Sequence, residues 1–375
     1  MEPLARLVAF YLPQFHPTPD NDEWWGPGFT EWSNVAAAQP LFRGHQQPRT
    51  PGELGFYDLR LPETRAAQAE LAAAHGIEAF CYWHYWFHGR RMLDRPFAEV
   101  LASGEPDFPF CLAWANESWT RTWMGSGEVL VEQTYSAEDD RRHGRWLAQA
   151  FADPRYLRVN GRPVLLIYRF ADLPDAGRTI TIFSEEATAA GAGVPMFLGM
   201  NGISFGQDAR PFGFDGTVCF APQLGLLPGF GRRGSGPANL LRNLRQRLPN
   251  ASLRLYDYRQ HTQELRRRSE RLDHPLHPTL LIGWDNTARR GRDAIVLVND
   301  TADEVANRLR ELIAEVGAKP PAERLIFVNA WNEWAEGNYL EPDLETGRAK
   351  LEAVRDVVMA GASDDAHPQG LRARP

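Results

Sequence analysis

The feature that most constrains this chain is a recurrence of short apolar runs, rich in β-branched and aromatic residues, separated by segments with helical periodicity. Eight such runs are present, at 7–12, 78–83, 110–115, 164–169, 196–200, 216–220, 280–284 and 325–330. Near-continuous apolar runs suit strands covered on both faces of a parallel sheet, and parallel neighbours need a crossover between them. Helical segments supply the crossovers. One spans 63–75 and is closed by Gly76; another spans 302–316, with Thr301 as N-cap and Gly317 as stop; a last helix is expected around 347–360. Eight strands alternating with helices predict an α/β fold, a (β/α)8 TIM barrel, with a doubly wound open sheet as the rival.

A chain of 375 residues with 43% hydrophobic content can bury one large core, so a single catalytic domain over 1–360 is expected. The stretch 361–375 is small, polar and Pro-containing, and reads as a disordered tail. Two segments lack periodicity, 13–60 and the Gly/Arg/Pro-rich 222–237. In a barrel these become long βα loops over the C-terminal face, where active sites are built. Asn160-Gly161 between two apolar runs predicts a hairpin feeding the fourth strand.

Composition narrows the function. The net charge of -7 comes from interspersed acids and bases with no basic block, so nucleic acid is not an expected partner. No apolar run is long enough to span a bilayer, and residues 1–11 lack a charged leader and a cleavage site. A soluble, cytoplasmic protein without stable membrane insertion is the expectation. Cys81, Cys111 and Cys219 are odd in number and lie inside apolar runs, which predicts buried free thiols. No His or Cys stands at metal-ligand spacing, no glycine-rich loop opens a helix after a strand, and there is no Gly-x-Ser-x-Gly elbow. Neither metal nor cofactor is expected. The 12 Trp, 10 Tyr and 20 Phe crowd near Trp24, Trp83, Trp119 and Trp331. Such rings stack well on the C–H faces of sugars, although core filling is the plainer reading.

The most informative segment is 327–341, where an apolar strand runs directly into polar and aromatic residues. Glu333 and Glu336 are three apart, so a chain that begins to turn there aims both carboxylates at one space. Two carboxylates flanking a bond are the equipment of glycoside hydrolysis, one protonated to assist the leaving oxygen and one ionised. Trp331 and Trp334 beside them would lower the local dielectric and raise one acid. The alternative is that both acids cap a helix and pair with Arg. Asn332 and Tyr339 belong to the same segment and are further candidates.

Other strand ends add candidates for binding an oligo- or polysaccharide. The segment 114–123 offers Asn116, Glu117 and Trp119, and Glu117 as acid with Glu333 as nucleophile is a rival mechanism. Tyr82, His84 and Tyr85 end the second strand in an aromatic and imidazole run expected to line the cleft. Trp284 and Asp285 follow the seventh strand, where turn chemistry is the alternative. Trp24, Glu31 and Trp32 lie in a loop that either supplies a carboxylate and a stacking ring or only lids the barrel.

Taken together, Tyr11-Leu-Pro-Gln-Phe-His16, Gly28-Phe-Thr-Glu-Trp32, Gly44-His45, Leu54-Gly-Phe-Tyr-Asp58, residues 82–86, Trp114-Ala-Asn-Glu117 and Trp331-Asn-Glu-Trp-Ala-Glu-Gly337 resemble the WbsX-like polysaccharide-cluster proteins over nearly the whole chain. That group carries a glycosyltransferase name but is similar to glycoside hydrolase family 99, retaining endo-α-mannosidases with a (β/α)8 barrel. The resemblance implies that Glu333 deprotonates the sugar's 2-hydroxyl, which attacks the anomeric carbon to give a 1,2-anhydro sugar. Glu336 would protonate the leaving oxygen and then activate water. An axial 2-hydroxyl, as in mannose or rhamnose, suits this chemistry. Three readings stay open: a retaining hydrolase of a bacterial polysaccharide, a glycosyltransferase of O-antigen or surface-polysaccharide synthesis, and a non-catalytic carbohydrate-binding barrel.

Overall fold

The computed structural model describes residues 2–121, 128–202, 205–228 and 253–360. The expected tail at 361–375, residues 229–237 of the Gly/Arg/Pro-rich loop, and Trp123 lie outside the described residues. Eight parallel strands form the barrel: β1 (Arg6–Tyr11), β2 (Ile77–Phe87), β3 (Phe110–Trp114), β4 (Arg162–Ile167), β5 (Met196–Met200), β6 (Gly216–Val218), β7 in two pieces (Leu276–His277 and Thr279–Leu281) and β8 (Leu325–Asn329). Each pairs with its sequence neighbour from β1 through β6. Closure runs through β7, whose first piece pairs with β6, whose second pairs with β8, and β8 pairs with β1. Pro278 separates the two pieces because it has no N–H to give the ladder, yet its carbonyl still accepts Phe327 N–H at 3.0 Å.

The described helices are α1 (Pro19–Trp25), α2 (Glu31–Ala37), α3 (Pro62–Ala74), α4 (Arg95–Ser103), α5 (Ala137–Phe151), α6 (Ala176–Ala189), α7 (Tyr258–Ser269), α8 (Thr287–Arg290), α9 (Ala302–Val316) and α10 (Ala349–Val358). Their boundaries follow local chemistry. Thr301 caps α9 by accepting Glu304 N–H, and Ser136 caps α5 by accepting Asp139 N–H. Gly76 ends α3 at φ +79°, where an added Cβ would also meet Val358 at 2.6 Å. The expected hairpin forms: Arg158–Val159 pairs antiparallel with the start of β4, and Asn160 and Gly161 both adopt positive φ. Loop 13–60, read as lacking periodicity, contains α1 and α2.

One strand was misplaced by the sequence. The seventh was expected at 280–284, but it begins at Leu276 and leaves the barrel after Leu281. Trp284–Asp285 instead pairs antiparallel with Ile295–Val298, which also pairs with Arg254–Asp257. At Gly283 the chain passes so close to the Asp300 carboxylate and the Gly337 carbonyl that no Cβ fits.

The alternation of β2 decides what faces what. Tyr82 packs on Phe97 of α4, and His84 and Trp86 pack on His143 and Trp146 of α5, so the even positions face the helices. Trp83 faces the interior, stacked on Phe10 at 5.2 Å, with Phe220 and Tyr168 edge-on to it. Phe10 in turn stacks on Phe327 of β8. Phe10 and Phe327 are fully buried, which contributes roughly 1.5–3 kcal/mol each, while Trp83, Phe220 and Tyr168 are partly buried. All three cysteines are free and buried, as the sequence predicts. No described helix is long and apolar enough to cross a membrane.

Candidate active site

Beyond β8 the chain makes a two-residue strand, Asn332–Glu333, which pairs antiparallel with Asn338–Tyr339 across the turn Trp334–Glu336. Gly337 closes that turn at φ +58°, pressed so tightly on Asp285 that an added Cβ would lie 2.7 Å from the Asp285 Cβ. The turn carries Glu333 and Glu336 to one side, where both meet Arg289 of α8. Arg289 donates from Nη1 to Glu336 Oε1 at 2.6 Å, from Nη2 to Glu333 Oε2 at 3.1 Å, and from Nε to Glu31 Oε1 at 2.7 Å. Three carboxylates from the loops after β1 and β8 therefore share one guanidinium from the loop after β7. The side chains involved are 3–15% exposed.

Burial sets the electrostatics. It pushes Glu333 up to about 8 and raises Glu336 as well; Arg289 opposes the rise, and the neighbouring acids reinforce it at Glu333 through Glu336 and Glu31. Three buried carboxylates sharing one guanidinium, with burial raising both Glu333 and Glu336, favour the protonated form within the pair.

Behind this cluster lies a second polar network. Glu341, 2% exposed, accepts hydrogen bonds from Gln68 Nε2 at 2.6 Å, Tyr57 Oη at 2.8 Å and Trp334 Nε1 at 2.6 Å. Burial first of all raises it, to about 7, against these donors. Asn332 is fixed by the Leu12 backbone, accepting its N–H at 2.7 Å and donating to its carbonyl at 3.1 Å. These bonds tie the carboxylate turn to β1 and to α3. Asn338, directly opposite Glu333 in the short ladder, is fully buried, and its side-chain amide has no hydrogen-bond partner among the described residues.

Arg289 is held in place by its own segment. Asp285 is buried; its Oδ2 accepts from His45 Nε2 at 2.8 Å and Gln47 Nε2 at 2.9 Å, and its Oδ1 from the Thr287 hydroxyl at 2.6 Å. Burial pushes Asp285 up, but these hydrogen bonds hold it below the ordinary carboxylate range. Because Leu41 N–H donates to His45 Nδ1, the proton of that imidazole sits on Nε2, facing Asp285.

The expected site residues divide into three groups. Glu31, Glu333, Glu336 and Tyr85 meet, the Tyr85 phenol being raised first by burial and next by Glu333. Around them Trp24, Tyr85 and Trp119 form an aromatic rim, with ring centroids 5.2–5.6 Å apart. Glu117 stands nearby with a 41% exposed side chain, paired to Arg169 through Nε at 2.9 Å and through Nη2. The second group is support. Trp331 is fully buried against Phe80, Trp334 stacks on Tyr339 at 3.8 Å, and Trp32 donates to the Tyr57 carbonyl at 2.8 Å. Trp284 and Asp285 are buried, and Asn116 bridges the ends of β3 and β4 by binding the Arg169 backbone. The third group is elsewhere: Tyr82 and His84, expected to line the cleft, face the helices, because residues two apart on a strand share a face.

The sequence reading passed over Arg289, Tyr168, Arg169 and Glu341, and did not count Trp83 among the site residues. Alternation along β2 would have singled out Trp83. Arg289 had no such signal, since Arg289, Arg290 and Arg292 crowd one short polar run. Among the described residues no group of three or more His, Cys, Asp or Glu is arranged to hold a metal ion.

Comparison with known proteins places the chain among relatives. A family model described as glycosyltransferase WbsX matches residues 7–354. Two proteins named uncharacterized protein WxcX, from Xanthomonas campestris pv. campestris strains B100 and ATCC 33913, are each 41% identical over 361 residues, covering 94% of this chain and 50% of their own length. The chain thus spans about half the length of those relatives. Among solved structures, a GH99 endo-alpha-mannosidase from Bacteroides thetaiotaomicron bound to bis-tris-propane aligns with TM-score 0.55 at 13% identity, covering 96% of this chain and 99% of that one. A protein described as glycoside hydrolase-like aligns with TM-score 0.56 at 14% identity, covering 96% and 94%. At such identities the likeness shows a shared barrel fold.

Proposed function

The chain belongs to the glycosyltransferase WbsX family, and we propose that it is a carbohydrate-active enzyme, a retaining glycoside hydrolase acting on an α-mannose- or rhamnose-type linkage of a bacterial polysaccharide. The observation that carries the reading is the Glu333–Glu336 pair, buried together past the last barrel strand and spanned by one guanidinium. Glu333 acts as base: it takes the proton of the sugar's 2-hydroxyl as that oxygen bonds to the anomeric carbon and the glycosidic bond breaks. Glu336 gives its proton to the departing oxygen. Water, deprotonated by Glu336, then opens the 1,2-anhydro sugar at the anomeric carbon, and Glu333 returns its proton to the 2-oxygen. Configuration is retained because the anomeric carbon is inverted twice.

The cycle needs one proton on the pair at its start, and a buried pair short of positive charge supplies that condition. Donation from the bound 2-hydroxyl favours ionised Glu333 and leaves the proton to Glu336. The rim of Trp24, Tyr85 and Trp119 suits stacking on sugar faces. The GH99 description of one structural neighbour points the same way.

The family's own description favours a second reading, a glycosyltransferase of surface-polysaccharide synthesis. Its Asp20-Asn21-Asp22 triplet has the spacing of a metal–nucleotide motif. Yet Asp22 accepts Gly28 N–H at 2.7 Å and Asp20 pairs with Arg90. Mass spectrometry of defined α-mannose- and α-rhamnose-containing oligosaccharides, incubated with wild type and Glu336→Gln, with and without sugar nucleotides, separates the two. Shortened glycans from wild type alone, without nucleotide, support hydrolysis. Elongation that requires a sugar nucleotide establishes the transferase and removes the hydrolase.

A further inference from the structure

Resting on the hydrolase reading, we propose that Glu31 and Arg289 are a positioning couple that sets the proton content of the Glu333–Glu336 pair, Glu31 seating the guanidinium and Arg289 spanning the two acids. The contacts divide the guanidinium edge by edge: Nε goes to Glu31, Nη1 to Glu336 and Nη2 to Glu333. An ion pair kept for stability alone needs one carboxylate per Arg, and extra buried anions weaken it. Here two further acids are gathered around a cation already satisfied by Glu31, whose side chain is only 3% exposed. The backbone that carries Arg289 is anchored beside it, through Asp285 and through Asn286 Oδ1, which accepts Ile295 N–H at 2.9 Å.

The other charged or titratable groups facing the pair do not cancel this imbalance. Arg290 acts on Glu336 from α8, while Glu117 and Arg169 pair with each other. The phenols of Tyr85 and Tyr168 are raised by burial and stay neutral. Apart from Arg290, which acts on Glu336 alone, the charges that act on both acids are Arg289 and Glu31, which pull in opposite directions.

That opposition is the test. Glu31→Gln removes a negative charge at nearly constant shape, so the pair should titrate lower by about one pH unit. Arg289→Met removes the positive charge, so the pair should titrate higher by about one unit or more, with Arg289→Lys falling between. The readout is pH-difference infrared spectroscopy of the protonated carboxyl stretch, with Glu333→Gln and Glu336→Gln assigning the bands. The pH profile of kcat/KM follows on whichever glycoside is cleaved. Opposite shifts for Glu31→Gln and Arg289→Met support the couple. Should Arg289→Met fail to fold, the downward shift of Glu31→Gln together with the intermediate Arg289→Lys decides alone. Unchanged bands, or shifts of the same sign in both variants, overturn it, since a merely structural role would lower stability without splitting the titration. Opposite shifts with no glycoside cleaved keep the couple and sink the hydrolase reading. Cleavage with unmoved bands does the reverse.

Discussion

Two buried ionisable clusters flank the aromatic run at the end of β2, and they solve the same problem in opposite ways. Between β2 and α5, His84 Nε2 lies 2.9 Å from His143 Nε2; His84 stacks on Trp146 at 4.5 Å and His143 on Trp86 at 4.4 Å. Burial lowers His84 to about 3 and His143 well below its ordinary value, so both rings are neutral and pack as aromatics. At the mouth, Glu31, Glu333 and Glu336 crowd one guanidinium, and burial raises the pair instead. A base escapes burial by losing its proton and an acid by gaining one, and the two acids keep 11% and 15% of their side chains exposed. Perturbation by burial is therefore common to both clusters; charge imbalance is what sets the carboxylates apart, and it is the feature on which their proposed role rests.

The sharpest way to break this contrast is turnover. Glu336→Gln should lower kcat/KM about 10³-fold on a verified substrate, within the range of lost general acid–base catalysis. His84→Gln should stay within about threefold of wild type, and a comparable loss there would place the imidazole in the chemistry. Stability should show the reverse. His143→Ala empties an aromatic slot between Trp86, Trp114 and Phe183 and should cost about 2–4 kcal/mol, seen as a lower urea midpoint at unchanged slope. Glu333→Gln, which removes one of three crowded acids, should cost much less.

Acidification separates the clusters more finely. The buried histidines stay neutral when folded but bind protons when unfolded, so their contribution is complete above about pH 6.5 and declines below it, by up to about 1.4 kcal/mol per pH unit for each ring. Glu333 keeps its proton when folded up to about pH 8 but loses it near pH 4.5 when unfolded, so the native state loses stability as pH rises through that window. Unfolding free energies from pH 5 to 8 should thus rise relative to wild type in Glu333→Gln as pH increases; a flat difference would mean that Glu333 is already ionised. The smallest effect belongs to the rim: Trp24→Ala should raise KM several-fold, leaving the urea midpoint within about 0.5 kcal/mol.

Much of the architecture was legible in one dimension. The eight strands and the cap and stop of α9 follow from periodicity and local hydrogen bonding, which act over a few residues. The seventh strand was misread because an apolar run does not reveal where Pro278 and Gly283 break and divert it. Residue type points Tyr82 and His84 into the barrel mouth, but the alternation of β2 sets both on the helix side, a signal present in the sequence itself.

Sequence alone determined eight apolar runs alternating with helical segments and set Glu333 three residues before Glu336 beyond the last of them, since each depends on near neighbours along the chain. Only the tertiary structure decided that Glu31 meets Arg289 across 258 positions and that Glu341 locks the turn from behind. Closure of β8 on β1 brings those loops together, and how a charge is shared depends on distance and burial in space, which no spacing along the chain encodes.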